Sequence, residues 1–293
     1  MQTQKKILFI VNPISGRYRK ETISAVIERT IDQSIFEHNI AFTQYAGHAT
    51  ELAESVLQKN YTAVVAVGGD GTINEIARVL INSNVALGIL PSGSGNGLAR
   101  HLGIPPKPVE AMQVINRFNI IPIDTGTIND KVFISVAGLG FDALIAEKFA
   151  KGRKRGFWNY FREAVSGYIN YSVNHYDILA DGINIKRNAL LISFANSCQF
   201  GYNASLSPDA SLTDGRIDLC IMQKTPAFKT FFLVPRLFTG NLNKSNHLEI
   251  IKIKEAEIIC ENPEKSHVDG DPSETLKIFK IKTSPLSLKI IIP

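Results

Sequence analysis

Three short polar stretches carry the residues best suited to phosphate chemistry. They are Asn12-Pro13-Ile14-Ser15-Gly16-Arg17, Gly68-Gly69-Asp70-Gly71-Thr72 and Pro91-Ser92-Gly93-Ser94-Gly95-Asn96-Gly97. Each follows an apolar run that reads as a strand: KKILFIV, YTAVVAV and VALGIL. A strand that ends in such a turn and leads into a helix presents unpaired backbone N–H groups, which together with the helix dipole attract anions. Glycine lets that backbone come close to a phosphate. The second stretch is the densest, yet the chain contains no GxxxxGK[ST] loop, so this is not a Walker-type cradle. Asp70 in its middle adds a carboxylate that can handle a metal or a proton; helix capping by Asp70 or Thr72 is the plainer use.

Two further carboxylates stand out. Asp214 lies in Thr213-Asp214-Gly215 and Asp271 in Asp269-Gly270-Asp271-Pro272. Turn propensity alone accounts for both Asp-Gly pairs. The three cysteines, Cys198, Cys220 and Cys260, are odd in number and scattered, which gives neither a disulfide framework nor a zinc spacing and suits a reducing cytosol.

The elements that must position these residues follow from periodicity. Strands at 5–11, 36–45, 61–67 and 85–90 alternate with helical patterns at 18–31, 50–59, 73–80 and 109–117. That alternation predicts an α/β domain with a parallel sheet, in which turns at the carboxyl ends of the strands share one edge. From Asp124 onward strand-like runs dominate: KVFISVAG, YDILADGINI, ALLISFAN, RIDLCIMQ, EIIKIKEAEIIC, TLKIFKI and SLKIIIP. They predict a β-rich, sandwich-like second domain, with helical spacing only at 141–173. The expected boundaries are 1–123 and 124–280, with 281–293 packing back on the first domain.

The 293 residues carry a net charge of +5 and a pI near 9.0. This mild excess suits nucleotide phosphates or an anionic membrane surface and falls short of a nucleic-acid binder. No run reaches the ~18 apolar residues of a membrane span, and the N-terminus lacks a signal-peptide core. Lipid is then met from the water side. Residues 147–172 join Lys148, Lys151, Arg153, Lys154 and Arg155 to an aromatic face of Trp158, Phe161, Val165 and Tyr168, and 229–240 reads KTFFLVPRLFTG. Basic charge beside aromatics suits a membrane interface, and a core helix behind a solvated loop fits equally.

VNPISG, GGDGTINE and LPSGSGNGLAR, in this order and spacing, resemble the catalytic domain of the diacylglycerol kinase superfamily of lipid kinases. That group includes bacterial diacylglycerol kinase-like enzymes, sphingosine kinases and ceramide kinases. NAD kinases share the GGDG element, but the LPxGSGN turn is similar to the lipid kinases. VFISVAGLGFDA, SPDASLTDGRIDL and HVDGDP resemble the second half of the same family.

The resemblance implies an NAD kinase/diacylglycerol kinase-like α/β domain, a β-rich lipid-substrate domain, and transfer of the γ-phosphate of ATP to a lipid hydroxyl. It assigns Asn12, Ser15, Gly16, Arg17, Thr50, Gly68, Gly69, Asp70, Gly71, Thr72, Asn74 and Ser94 to the ATP site. It gives Asp214, with backbone carbonyls near Ser211 and Arg216, to Mg²⁺ that is structural and distinct from the ion travelling with ATP. Asp271 stands where the family has a glutamate thought to accept the proton. One methylene is lost there, which leaves the base open between Asp271 and Asp70. Arg17 and Lys20 are candidates for neutralising developing charge. The implied partner is a membrane lipid at the bilayer surface, with no nucleic acid, a cytoplasmic and peripheral location, and either a monomer or a homodimer. Diacylglycerol, a sphingoid base or ceramide, a soluble NAD-like acceptor, and an inactive sensor all stay open.

Overall fold

The computed structural model describes residues 4–15, 20–93, 95–151, 167–168, 170–198 and 204–293. The chain divides into two compact units. One holds the residues up to Ile123 together with Leu286–Pro293; the other is Asp124–Pro285.

The first unit follows the alternation of its sequence: β1 (Lys5–Val11), α1 (Lys20–Thr30), β2 (Phe36–Phe42), α2 (His48–Leu57), β3 (Ala63–Gly68), α3 (Asp70–Leu80), β4 (Ala86–Pro91), α4 (Gly97–His101) and α5 (Pro108–Arg117). The strands lie in the order β2-β1-β3-β4, all parallel. β3 and β4 are buried along their whole length, as strands covered on both faces must be, and this explains their unbroken apolar sequence. Helix α3 turns Ile73, Ile76, Ala77 and Leu80 inward with no exposed area. Each large aliphatic buried this way contributes about 1.5–3 kcal/mol of transfer free energy. The parallel order brings the turns after β1, β3 and β4 to one sheet edge.

The second unit begins within β5 (Asn119–Ile128) and continues through β6 (Lys131–Phe133), β7 (Val136–Gly140), α6 (Phe141–Lys151), β8 (Asn174–Ala180), β9 (Ile183–Ala189), β10 (Leu191–Ala195), β11 (Ile217–Met222), α7 (Ala227–Phe238), β12 (Leu248–Ile253) and β13 (Glu255–Val268). The long β14 (Asp271–Ile292) closes this unit and returns the chain to the first, where Ile290 pairs in parallel with Leu87 of β4. Antiparallel pairing runs β12-β11-β10-β7-β13, and β13 also pairs with β8 and β14. One core gathers Phe133, Leu139, Tyr176, Phe194, Leu219 and Phe279 between strands. A second gathers Phe141, Ile145, Tyr168, Leu191, Leu233 and Leu248 beneath the helices.

Two runs read as single strands are broken. KVFISVAG splits into β6 and β7, and EIIKIKEAEIIC splits into β12 and β13. At each break an aspartate from a hairpin turn takes the freed amides. Asp269 accepts from Ile134, Ser135 and Val136 N at 2.8–3.3 Å. Asp181 accepts from Lys254 and Glu255 N, each at 3.0 Å. Both aspartates precede glycine, and both pairs have positive φ (46° and 83° at Asp181-Gly182, 51° and 88° at Asp269-Gly270), as a two-residue type I′ hairpin requires. The Asp-Gly pair thus turns its own hairpin while its carboxylate caps a break elsewhere.

Candidate active site

In the first unit the three turns are hydrogen-bonded to one another. Asn12 N donates to Val67 O at 2.9 Å, and Asn12 Nδ2 donates to Thr72 Oγ1 at 3.0 Å. This couples the turn after β1 to the end of β3 and the first turn of α3. The Asn12 side chain also accepts from Ile14 N and Ser15 N, and Ser15 Oγ donates to Asn12 O. On the other side, Ser92 N donates to Gly68 O at 2.8 Å.

Asp70 completes the frame. Its Oδ2 accepts from Asn96 N and its Oδ1 from Gly97 N, both at 2.8 Å. Its carboxylate therefore caps α4, at the end of the neighbouring turn, and not α3, which it begins. The Asn96 side chain closes the loop by accepting from Gly93 N and donating to Gly93 O. Asn96 itself sits at φ 53°, a region that asparagine tolerates better than most residues. It is a positioning residue that the turn's sequence contained without marking.

The glycines have a packing reason as well. A Cβ on Gly93 would lie 2.6 Å from Gly69 Cα, and one on Gly95 would lie 2.6 Å from Asp70 Oδ2. Two turn backbones touch there, so side chains are excluded. Gly71, by contrast, is exposed, and a Cβ on it would meet nothing within 4 Å. The first turn of α3 is thus open on that side. Thr72 and Asn74 are buried. Thr50 is half-buried in α2, whose start is tied to α3 by Gly47 N donating to Glu75 Oε1 at 3.3 Å. Gly16, Arg17 and Ser94 lie outside the described residues, and of Lys20 only the backbone is described.

In the second unit, Asp271 opens β14 and is exposed. Asp269, two residues earlier, is spent on backbone amides as described above. Behind this hairpin lies a pair that sequence reasoning missed. His267 and Asp142 are both almost fully buried, with His267 Nε2 3.3 Å from Asp142 Oδ2. Gly270 N donates to His267 Nδ1 at 3.3 Å, so the ring proton sits on Nε2 and faces the carboxylate. Burial raises the Asp142 pKa, and the neighbouring imidazole partly offsets it. A Cβ on Gly138 would collide with both side chains. The signal was present in GLGFDA and HVDGDP, but nothing in either motif said that they meet.

Asp214, Ser211 and Arg216 share the loop before β11. Asp214 Oδ1 accepts from Arg216 N at 3.1 Å, and Ser211 Oγ accepts from Thr213 N at 3.3 Å. The other Asp214 oxygen, Oδ2, is 2.5 Å from Lys252 Nζ. That ammonium also lies 3.4 Å from Asp218 Oδ1. Partial burial works against the charge of Lys252. The hydrogen bond to Asp214 and the fields of Asp218 and Asp214 outweigh it and raise its pKa. Among the described residues no group of three or more His, Cys, Asp and Glu is placed to hold a metal ion; a site of one carboxylate with backbone carbonyls and water is of a different kind. The Mg²⁺ expected at Asp214, with backbone carbonyls near Ser211 and Arg216, would share the Asp214 carboxylate with the Lys252 ammonium.

The sequence matches the diacylglycerol kinase catalytic domain over residues 6–128 and the YegS C-terminal NAD kinase beta sandwich-like domain over 135–292. The chain belongs to the diacylglycerol kinase family of lipid kinases. Similar members include a probable YegS-like lipid kinase of Klebsiella pneumoniae, 30% identical over 89% of this chain and 88% of that protein. The diacylglycerol kinase of Bacillus subtilis is 26% identical over 94% of each. A diacylglycerol kinase structure from Bacillus anthracis superposes with a TM-score of 0.77 at 21% identity, covering all of this chain and 98% of that one, which speaks for the fold. Membership makes the chain a phosphotransferase with an alcohol acceptor.

The lipid kinase reading gives the apolar stretches new context. Tyr168, which suited a membrane-facing aromatic face and a core helix equally, is buried, with its hydroxyl donating to Thr225 O at 2.7 Å. Its expected neighbours Trp158, Phe161 and Val165, and the basic residues 153–155, lie outside the described residues. Among the described residues no helix is long and apolar enough to cross a membrane.

Proposed function

We propose that this lipid kinase transfers the γ-phosphate of MgATP to the hydroxyl of diacylglycerol presented at a bilayer surface. The observation that carries the nucleotide half is the coupling of three turns through Asn12, Asp70 and Asn96. Phosphoryl transfer asks mainly for positioning and charge stabilisation. A frame of mutually hydrogen-bonded turns supplies the first. The first turn of α3, open at Gly71, supplies backbone donors and a helix dipole for phosphate oxygens. Gly68, Gly69, Asn74, Ser15 and Thr50 complete the proposed nucleotide site, with Gly16, Arg17 and Ser94 joining it.

Asp271 is the proposed proton acceptor. Its exposed carboxylate is free of the amide bonds that occupy Asp269 and Asp70, which favours it over Asp70 as the base. Asp70 then acts by holding the turn after β4 in place. The B. subtilis relative bears the name diacylglycerol kinase, which supports that acceptor over a sphingoid base or ceramide.

The test is transfer of label from [γ-³²P]ATP in the presence of diacylglycerol vesicles and, separately, NAD. Label in a chloroform-extractable product is expected. Label confined to the aqueous phase with NAD as acceptor would replace this reading with a soluble kinase. ATP binding without turnover on any lipid would replace it with a sensor.

A further inference from the structure

We infer that Lys252 is the built-in cation of the second unit, and that its ammonium, set between Asp214 and Asp218, takes the place of a divalent ion there. Asp218 on β11 and Lys252 on β12 are direct cross-strand partners. Asp218 is only 3% exposed, and its Oδ2 accepts from the buried Ser207 Oγ. A buried carboxylate needs a compensating charge, and the pairing of β11 with β12 delivers one in a fixed position. The same ammonium then reaches Asp214 Oδ2 at 2.5 Å. Arg216 Nη1 donates to Lys252 O at 3.4 Å and lies 3.6 Å from Asp181 Oδ2, so the loop is held against β12 and against the turn between β8 and β9.

A divalent ion on Asp214 would sit about 2.1 Å (Mg²⁺) or about 2.3–2.6 Å (Ca²⁺) from a carboxylate oxygen; Oδ1 already accepts from Arg216 N, and Oδ2 is the oxygen the ammonium holds. That position overlaps the ammonium, and two cations sharing one carboxylate repel. Lysine and ion are therefore alternatives, and the chain carries the lysine. Gly215 N donating to Asp124 Oδ2 at 2.7 Å, and Asp124 N donating to Leu212 O at 2.6 Å, fix the loop ends without metal. Magnesium would then enter the reaction only with the nucleotide.

The experiment is thermal unfolding of the full-length protein without nucleotide, in EDTA and across a MgCl₂ titration. It compares wild type, Lys252→Met and Asp214→Asn. Wild type is expected to keep one unfolding temperature in EDTA and millimolar Mg²⁺. Lys252→Met, with two carboxylates left unneutralised, is expected to unfold several degrees lower in EDTA and to recover part of that loss with Mg²⁺. A Mg²⁺-dependent rise in wild type that disappears in Asp214→Asn would overturn the inference. A rise that persists in Asp214→Asn places the ion elsewhere and upholds it. If Lys252→Met does not fold, the wild-type and Asp214→Asn pair still decides. None of these readouts involves turnover, so failure here is separable from failure of the lipid kinase reading.

Discussion

Aspartates near the two Asp-Gly turns and the GGDG stretch look alike in sequence, and the structure gives them different work. Asp269 holds three backbone amides where β6 gives way to β7, whereas Asp271 is exposed at the start of β14. Asp269→Ala leaves those amides without their acceptor. It is expected to cost about 1–3 kcal/mol of stability, the usual penalty for an unsatisfied buried donor, read as a lower midpoint in urea. Asp271→Ala is expected to leave the midpoint unchanged and to cut kcat by ~10²–10⁴, the span of general base catalysis. A loss below tenfold would move the base to Asp70. Asp70→Ala is expected to lower stability and weaken ATP binding together, because both carboxylate oxygens hold the start of α4. Unchanged ATP affinity, measured by calorimetry, would remove it from the site's frame.

At the scale of elements, the first unit was legible because its strands are fully buried and bounded by glycine turns, so period and punctuation agree. The second unit has more breaks than its sequence pattern predicts. KVFISVAG and EIIKIKEAEIIC are apolar enough to run on as single strands. What stops them is a carboxylate arriving from a distant hairpin, Asp269 and Asp181 respectively, and periodicity within one segment cannot see that. The His267–Asp142 pair, a β13 side chain against the first turn of α6, and the Lys252 contacts, set by the register of β11 and β12, are hidden for the same reason: each joins segments distant in sequence. The turns after β3 and β4 make a further prediction. Gly93→Ala would drive a methyl to within 2.6 Å of Gly69 Cα. It is expected to weaken ATP binding at least tenfold by spreading the two turns, while Gly71→Ala, which meets no neighbour, alters the local fold little. Equal ATP affinities for wild type and Gly93→Ala, in paired titrations, would contradict the close approach.

For the whole molecule, chain order and unit order do not coincide. The chain enters the second unit after Ile123 and comes back at Leu286 within β14, so the first unit is finished only when the last strand segment arrives. Truncation after Pro285 is therefore expected to destabilise the α/β unit, which limited proteolysis would reveal as loss of protection within residues 63–91. The proposed division of labour follows from the same anatomy: the α/β unit frames the three turns proposed to hold the nucleotide, and the β-rich unit carries Asp271. Under the proposed function both sets of residues serve one reaction on lipid. Its most direct test is mass spectrometry of lipid extracted after incubating the protein with MgATP and vesicles containing diacylglycerol. Time-dependent phosphatidate is expected, and its loss in Asp271→Ala although ATP still binds. Absence of any phosphorylated lipid from the wild-type protein under those conditions would contradict it.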